Sequence, residues 1–498
     1  MTHDPIPSSF NMAAHILARA GDDPNKTALA ILGRETTQNW TYAQIESAIR
    51  GAATGLLQTG LTVGDRILLR LGNTPDFPIA FLACIAVGLI PVPTSSQLTV
   101  AEITAMAAGL SPKAIIAEDG ITLPDHAAPV IDTATFEGFY TLPPAQYVTG
   151  DPNRAAYIIY TSGTSGTPRG VVHAHRAIWA RRMMHDGWCG LKTQDRMLHA
   201  GAFNWAYTLG TGLMDPWTLG ATALIPEAGT PAHEIPSLMQ THKATIFAAA
   251  PGVYRQLLKS DITPIPTLRH GLSAGEKLPD TTRDAWTSAT GTPIFEAYGM
   301  SECSTFISGS PTTPPDAGSL GQPQTGRRIA LLSQDGSHAD HGQIAVHKSD
   351  PGLMLRYFNA PEETANRFNG AWFLTGDIGQ RLPSGAIRYE GRVDDMMNAG
   401  GYRVSPIEVE TALALHPDVQ EAAAVVLPIK ADVTVVAAFY TSADVIEKDE
   451  LAAHCAKHLA RYKAPRLFIR KDALPRGANN KLLRRALRSQ WEAENGQT

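Results

Sequence analysis

One stretch limits what this chain can fold into more than any other. It reads Tyr157-Ile-Ile-Tyr-Thr-Ser-Gly-Thr-Ser-Gly-Thr-Pro-Arg-Gly-Val-Val172. An apolar β-type run stops abruptly in ten residues of Thr, Ser, Gly, Pro and Arg. Gly163, Gly166 and Gly170 let the backbone come close to a ligand. Thr161, Ser162, Thr164, Ser165 and Thr167 offer hydroxyls, and Arg169 offers a positive charge. Such a loop suits a polyphosphate. It is not the Walker loop, because the Gly-Lys-Ser/Thr ending is absent. Plain surface loops have the same Gly/Ser/Thr composition, so the reading depends on what else the chain carries.

The surrounding pattern is α/β. A short hairpin is predicted over 27–40, and a capping box of Thr41 and Gln44 opens a helix to about Leu57. Strand 66–71, helix 75–87 and strand 114–117 continue the alternation. A helix is predicted over 173–184, directly after the loop. Its Arg181-Arg182 pair reads as a solvated face. His173 and His175 lack a third ligand and read as local polar contacts rather than a metal site. Buried strands over 245–250, 268–274 and 293–298 each end at a Gly or Pro turn. Those turns fall where open α/β sheets bind ligands. Beyond Gly342 the texture is strand and turn. A boundary is expected near Asp394, dividing the chain into residues 1–393 and 394–498. Ser405 and Glu408 look like a second capping box. The basic run from Arg466 to Arg485 reads as a solvated face or as a source of cations for an anionic site.

With 498 residues the chain is long enough for about three domain-sized units. A net charge of −5 gives no basic excess for nucleic acid. The four cysteines, Cys84, Cys189, Cys303 and Cys455, form no Cys-x-x-Cys pair, so no zinc or disulfide framework is indicated. Reduced thiols and the lack of a signal-like N-terminus fit a cytoplasmic protein. The most apolar run, 77–93, is short for a membrane span and carries three prolines.

Together these motifs resemble the AMP-forming acyl-CoA synthetases, a branch of the adenylate-forming enzymes. Thr161 to Gly170 looks like that family's phosphate loop, with Arg169 where Lys is commoner. Glu296-Ala-Tyr-Gly-Met-Ser-Glu302 is similar to its Tyr-Gly-x-Thr-Glu motif. Thr375-Gly-Asp377 resembles the ribose turn, and Gly391-Arg-Val-Asp-Asp395 with Gly400-Gly-Tyr-Arg403 resembles the hinge and following loop. Residues 474–481 resemble the segment with the C-terminal lysine, with Asn480 in place of Gly.

The resemblance implies a large N-terminal domain of helix-flanked sheets and a small mobile α+β C-terminal domain. It implies attack of a carboxylate on ATP, giving acyl-adenylate and pyrophosphate, then transfer to coenzyme A. Loading of a carrier-protein phosphopantetheine is the alternative. Thr161, Ser162, Gly163, Thr164, Ser165, Gly166 and Arg169 would hold phosphates, and Glu302 would bind Mg²⁺. Glu296 would accept from the adenine amino group and Tyr298 would stack on the ring, with Ala297, Gly299, Met300 and Ser301 in the same motif. Gly275-Glu276 would cover the other side of the ring. Asp377 would grip the ribose with Arg392 nearby, and Lys481 would counter developing charge. Asp394 would be the hinge, and Gly400, Gly401 and Arg403 would meet coenzyme A. The pair Phe203-Asn204 offers no carboxylate to an ammonium, which favours a simple acid over an amino acid. Phe203, Trp205, Tyr207, Ala249 and Ala274 are the expected acid pocket, for an aryl or a short-to-medium aliphatic acid. A monomer or homodimer is expected.

Overall fold

The computed structural model describes residues 5–161, 168–260, 262–393, 395–399, 402–430, 433–459, 461, 463–477 and 482–495. The chain forms two compact units. One is Met1–Arg328 with His347–Ala371, and the other is Ile329–Val346 with Trp372–Thr498.

The first unit is built on a nine-stranded sheet. At its centre Arg196–His199, Ile246–Ala249, His270–Ala274 and Ile294–Met300 lie parallel in that order. Helices and loops bury both faces, which is why three of the four read as unbroken apolar runs. Parallel strands put their carboxyl ends on one edge. Pro251, Gly275 and Gly299 therefore share that edge, as the sequence pattern predicts. A second, parallel sheet joins Arg66–Arg70, Ile90–Pro93, Ala114–Ala117 and Val130–Asp132. The third sheet is small: Ala155–Thr161 and Arg169–Ala174 pair antiparallel, and Arg356–Tyr357 extends them.

This third sheet departs from expectation. The residues after the phosphate-type loop are a strand, and the helix begins only at Ala177 (Ala177–Met184). Val171 and Val172 face Ile159 and Ile158 across the hairpin. Paired β-branched side chains at that register favour the strand over a helix. The chain after the loop is thus a strand paired with Ala155–Thr161, and not a helix from 173.

Arg181 also departs from expectation. It does not lie on a solvated face but is buried at 6% exposure, and its guanidinium reaches both oxygens of the fully buried Asp215 at 2.8 and 2.6 Å. Ser304 Oγ and Thr211 Oγ1 accept its remaining N–H groups. Arg182 lies over the Trp179 ring at 4.4 Å. The capping box of Thr41 and Gln44 is formed as predicted.

In the second unit, Ile329–Leu332, His341–His347, Trp372–Arg381 and Ile387–Arg392 belong to one sheet. Glu421–Lys430, Val433–Thr441 and Leu467–Arg470 form another, beside helices Pro406–Ala414, Lys448–His458 and Arg484–Asn495. Because 329–346 and 372–392 pair with each other, the expected boundary at 393/394 falls within this unit. Asp394 itself lies outside the described residues. Ser405 does not cap its helix. Its hydroxyl goes to Glu390 O, and Glu408 pairs with Lys463 at 2.7 Å. Nor is the basic run a solvated face throughout: Arg476 pairs with Glu421, and Arg484 grips both oxygens of Glu410.

All four cysteines are buried and free. Among the described residues no helix is long and apolar enough to cross a membrane.

Removing one partner of a fully buried ion pair leaves an uncompensated charge, a loss of about 3–5 kcal/mol. Asp215→Ala is expected to lower the unfolding free energy, read from urea denaturation, by that much. The double change Arg181→Met/Asp215→Leu is expected to recover most of it, because it removes the stranded charge.

Candidate active site

The loop at 162–167 is anchored by its hairpin, in which Thr161 faces Arg169 and Tyr160 faces Gly170. Ser162, Gly163, Thr164, Ser165 and Gly166 lie outside the described residues. Arg169, at the loop's end, pairs with Glu363 at 2.6 Å, and its guanidinium sits 5.7 Å above the Tyr357 ring. Gly170 is needed by close packing: a Cβ there would stand 3.1 Å from Ile158 and 3.2 Å from Phe358.

Segment 354–358 joins this hairpin to the Glu296–Glu302 motif. Met354 N donates to Glu302 O at 2.7 Å, Leu355 N to Val172 O at 2.8 Å and Phe358 N to Gly170 O at 2.7 Å. The Tyr357 hydroxyl donates to Glu302 Oε1 at 2.6 Å. A further tie comes from His173, whose Nε2 donates to Ser301 O at 2.8 Å. Burial pushes that imidazole down to about 4 and keeps it neutral. His175 Nδ1 accepts from Met12 N at 3.0 Å, so the two histidines serve separate structural contacts.

Glu302 thereby comes to the same neighbourhood as Arg169 and the loop. One of its oxygens is held by Tyr357, and the other has no hydrogen bond to a described residue. A half-buried carboxylate with one free oxygen fits Mg²⁺, which commonly takes one or two carboxylates and completes its shell with phosphate and water. In the same motif, Tyr298 meets the edge of Phe306 at 5.2 Å. Gly299 is required because a Cβ would collide with Ser304 O.

Glu296 has structural partners that the motif does not announce. Its carboxylate is buried at 2% exposure and fully engaged. Oε1 accepts from Leu278 N at 2.8 Å, and Oε2 accepts from Lys277 at 2.9 Å and Arg283 at 3.0 Å. The side chain thus fastens the turn that begins at Gly275, and Oε1, which accepts one hydrogen bond, keeps a lone pair. Gly275 has φ +100° and carries the turn past Trp205, whose ring would lie 3.0 Å from a Cβ there. Glu276 lies 3.4 Å from Arg255.

The expected acid pocket is only partly assembled. Trp205, Tyr207 and Ala274 share one cluster with Ala248 and Ala297, on one face of the central sheet at its carboxyl edge. Ala249 points to the opposite face, among Leu32, Phe247 and Tyr254. The cause is strand alternation: neighbouring residues face opposite ways, so Ala248 takes the place expected of Ala249. Phe203 is 1% exposed and stacks on Phe77 at 5.4 Å, as part of the main core rather than the pocket. The sequence reading passed over His199, which meets Tyr207 edge-on at 4.4 Å. As the last residue of an apolar strand at the ligand-binding edge, it carried a usable signal.

In the second unit, Asp377 and Arg392 face each other across the hairpin, with Arg392 Nε 3.7 Å from Asp377 Oδ1. The Tyr389 hydroxyl donates to the same oxygen at 3.1 Å. Lys481, Asp394, Gly400 and Gly401 lie outside the described residues. Arg403 belongs to the short strand Tyr402–Val404, paired with Met397–Ala399.

Comparison with known proteins agrees with this geometry. The model of the AMP-binding enzyme family matches residues 17–358, and that of the AMP-binding enzyme C-terminal domain matches residues 408–481. The mitochondrial acyl-coenzyme A synthetase ACSM3 of Homo sapiens is 30% identical over 98% of this chain and 91% of its own length. The benzoate–CoA ligase of Thauera aromatica is 30% identical over 97% of both. The crystal structure of a benzoate CoA ligase from Burkholderia xenovorans LB400 superposes with a TM-score of 0.86 at 28% identity, covering 96% of this chain and all of its own. The chain belongs to the AMP-binding enzyme family. Within it, the chain is an enzyme of the AMP-forming acid–thiol ligase class.

Glu296→Gln keeps the shape of the turn's anchor and removes its charge. A hydrogen bond to a charged group is worth about 1.5–3 kcal/mol. The variant is expected to raise the KM for ATP about tenfold or more, with a smaller change in the KM for the acid, as read from initial rates.

Proposed function

We propose that this enzyme activates an aryl acid as its acyl-adenylate and passes the acyl group to coenzyme A. In the first step a carboxylate oxygen attacks the α-phosphorus of ATP, and the bond to pyrophosphate breaks. In the second, the coenzyme A sulfur attacks the acyl carbon, the thiol proton is lost, and AMP leaves. Neither step needs an enzyme nucleophile; both need positioning and neutralised charge.

The observation that carries this reading is the meeting of Glu302, Tyr357 and Arg169 beside the Ser/Thr/Gly loop. Arg169 and the loop from Thr161 would hold the β- and γ-phosphates. Glu302, kept in place by Tyr357, would hold Mg²⁺, which lowers the charge on the phosphates when bound. Tyr298 would stack on adenine, and Asp377 with Arg392 would hold the ribose hydroxyls. Lys481 would neutralise charge between carboxylate and α-phosphate. A turn of residues 394–498 about Asp394 would then bring Gly400, Gly401 and Arg403 to coenzyme A.

An aryl acid is favoured over a long alkyl chain by the aromatic rings of Trp205 and Tyr207, which pack with the small side chains of Ala248, Ala274 and Ala297. The names of relatives support the same choice. Buried free thiols support a reducing, cytoplasmic setting.

Pyrophosphate release is expected to require ATP and acid together. Lys481→Ala is expected to cut it by about 10² or more, the scale on which a lost electrostatic contact to the transition state is felt. The same variant supplied with preformed acyl-adenylate is expected to make thioester at close to the native rate. Coenzyme A and a phosphopantetheinyl carrier, offered with the same acid, decide the acceptor.

A further inference from the structure

Behind Trp205 and Tyr207 sits a polar group that the fold leaves without a partner. His199 is fully buried, and neither ring nitrogen has a hydrogen bond among the described residues. Thr208 Oγ1 is buried and equally unpartnered. The two groups converge on Gly201: a Cβ there would collide with Thr208 Oγ1 and come within 3.1 Å of His199 Nδ1. Gly212 makes room on the other side, where a Cβ would stand 2.8 Å from His199 Cβ. An orphaned buried donor or acceptor costs about 1–3 kcal/mol. The chain therefore keeps two small residues around an arrangement that destabilises the free protein.

The ring's chemistry limits what can relieve it. Burial pushes His199 down to about 3, so it is neutral and offers one N–H donor and one acceptor nitrogen. A hydroxyl adds a second donor-acceptor. Neither supplies a counter-charge, so a second carboxylate or an ammonium would be stranded here. A neutral group that both donates and accepts fits. The location fits as well, since His199 lies edge-on to Tyr207 at 4.4 Å and to Trp205 at 6.4 Å, within the pocket cluster.

We propose that the acid this enzyme activates carries a hydroxyl or amino substituent, bound by His199 and Thr208 beside the Trp205 and Tyr207 rings. This rests on the aryl-acid reading above. Unsubstituted benzoate and simple alkanoates leave both groups unpaired and are the poorer substrates.

The test measures pyrophosphate release by the full-length enzyme with benzoate, the three hydroxybenzoates, the three aminobenzoates and hexanoate. At least one substituted benzoate is expected to exceed benzoate in kcat/KM by about tenfold or more. That ratio is expected to fall toward one in His199→Leu and to drop severalfold in Thr208→Val. Without acid, the Tm of His199→Leu is expected to equal or exceed the native value, because an orphaned polar group has been removed; a structural histidine would lower it. Benzoate or hexanoate matching the best substituted acid in the native enzyme overturns the inference while leaving the ligase reading intact. So does a ratio that survives in the variants; if His199→Leu does not fold, the native ratio and Thr208→Val decide. Release with no aromatic acid at all overturns the aryl-acid reading, and this inference with it.

Discussion

A short segment, 354–358, holds the candidate active site of the first unit together. Its backbone N–H groups reach Glu302 on one side and the strand after the phosphate loop on the other, and the Tyr357 hydroxyl adds a bond to the Glu302 carboxylate. Glu302 and Arg169 are 133 residues apart in sequence, from the difference of their numbers. They become neighbours because Arg356–Tyr357 adds a third strand to the hairpin. The hairpin and the strands on either side of Glu302 belong to separate sheets, and this segment is hydrogen-bonded to both. The ring of Tyr357 also lies under the Arg169 guanidinium, so one side chain sets the positions of a cation and an anion.

The parts of the fold legible in the sequence were those whose cause is local. The strands at Ile246–Ala249, His270–Ala274 and Ile294–Met300 are buried on both faces, and continuous apolar runs announce them. Thr41 and Gln44 close their box three residues apart. What stayed hidden depends on distant partners. Arg181 looks like any helical arginine until Asp215 is beside it. The helix expected from 173 begins only at Ala177, because Arg169–Ala174 is a strand whose register is set by pairing against Ile158 and Ile159.

The candidate site divides in the same way. The motif residues of the Tyr-Gly-Met-Ser-Glu run, and Asp377 with Arg392, could be named because each occupies a recognisable pattern. Their partners could not: nothing in the composition of 354–358 marks it as the clamp. Glu296 is a further case: the motif marks its carboxylate but not Lys277, Arg283 and Leu278 N, which hold it in place. Ala249 lies away from the cluster for a geometric reason, since a one-residue step along a strand moves a side chain to the other face; Phe203, in a turn, packs on Phe77 instead.

The hairpin under the phosphate loop bears on how firmly a product is kept. A loop that opens a helix presents anions with the summed dipoles of several aligned peptides. The paired strands that flank this loop supply no such column, because their dipoles largely cancel. If Arg169 holds the departing pyrophosphate, as proposed, it would do so in competition with Glu363, which already pairs with it at 2.6 Å. As the anion leaves, Glu363 would reclaim that charge, and the exchange would ease release at every cycle.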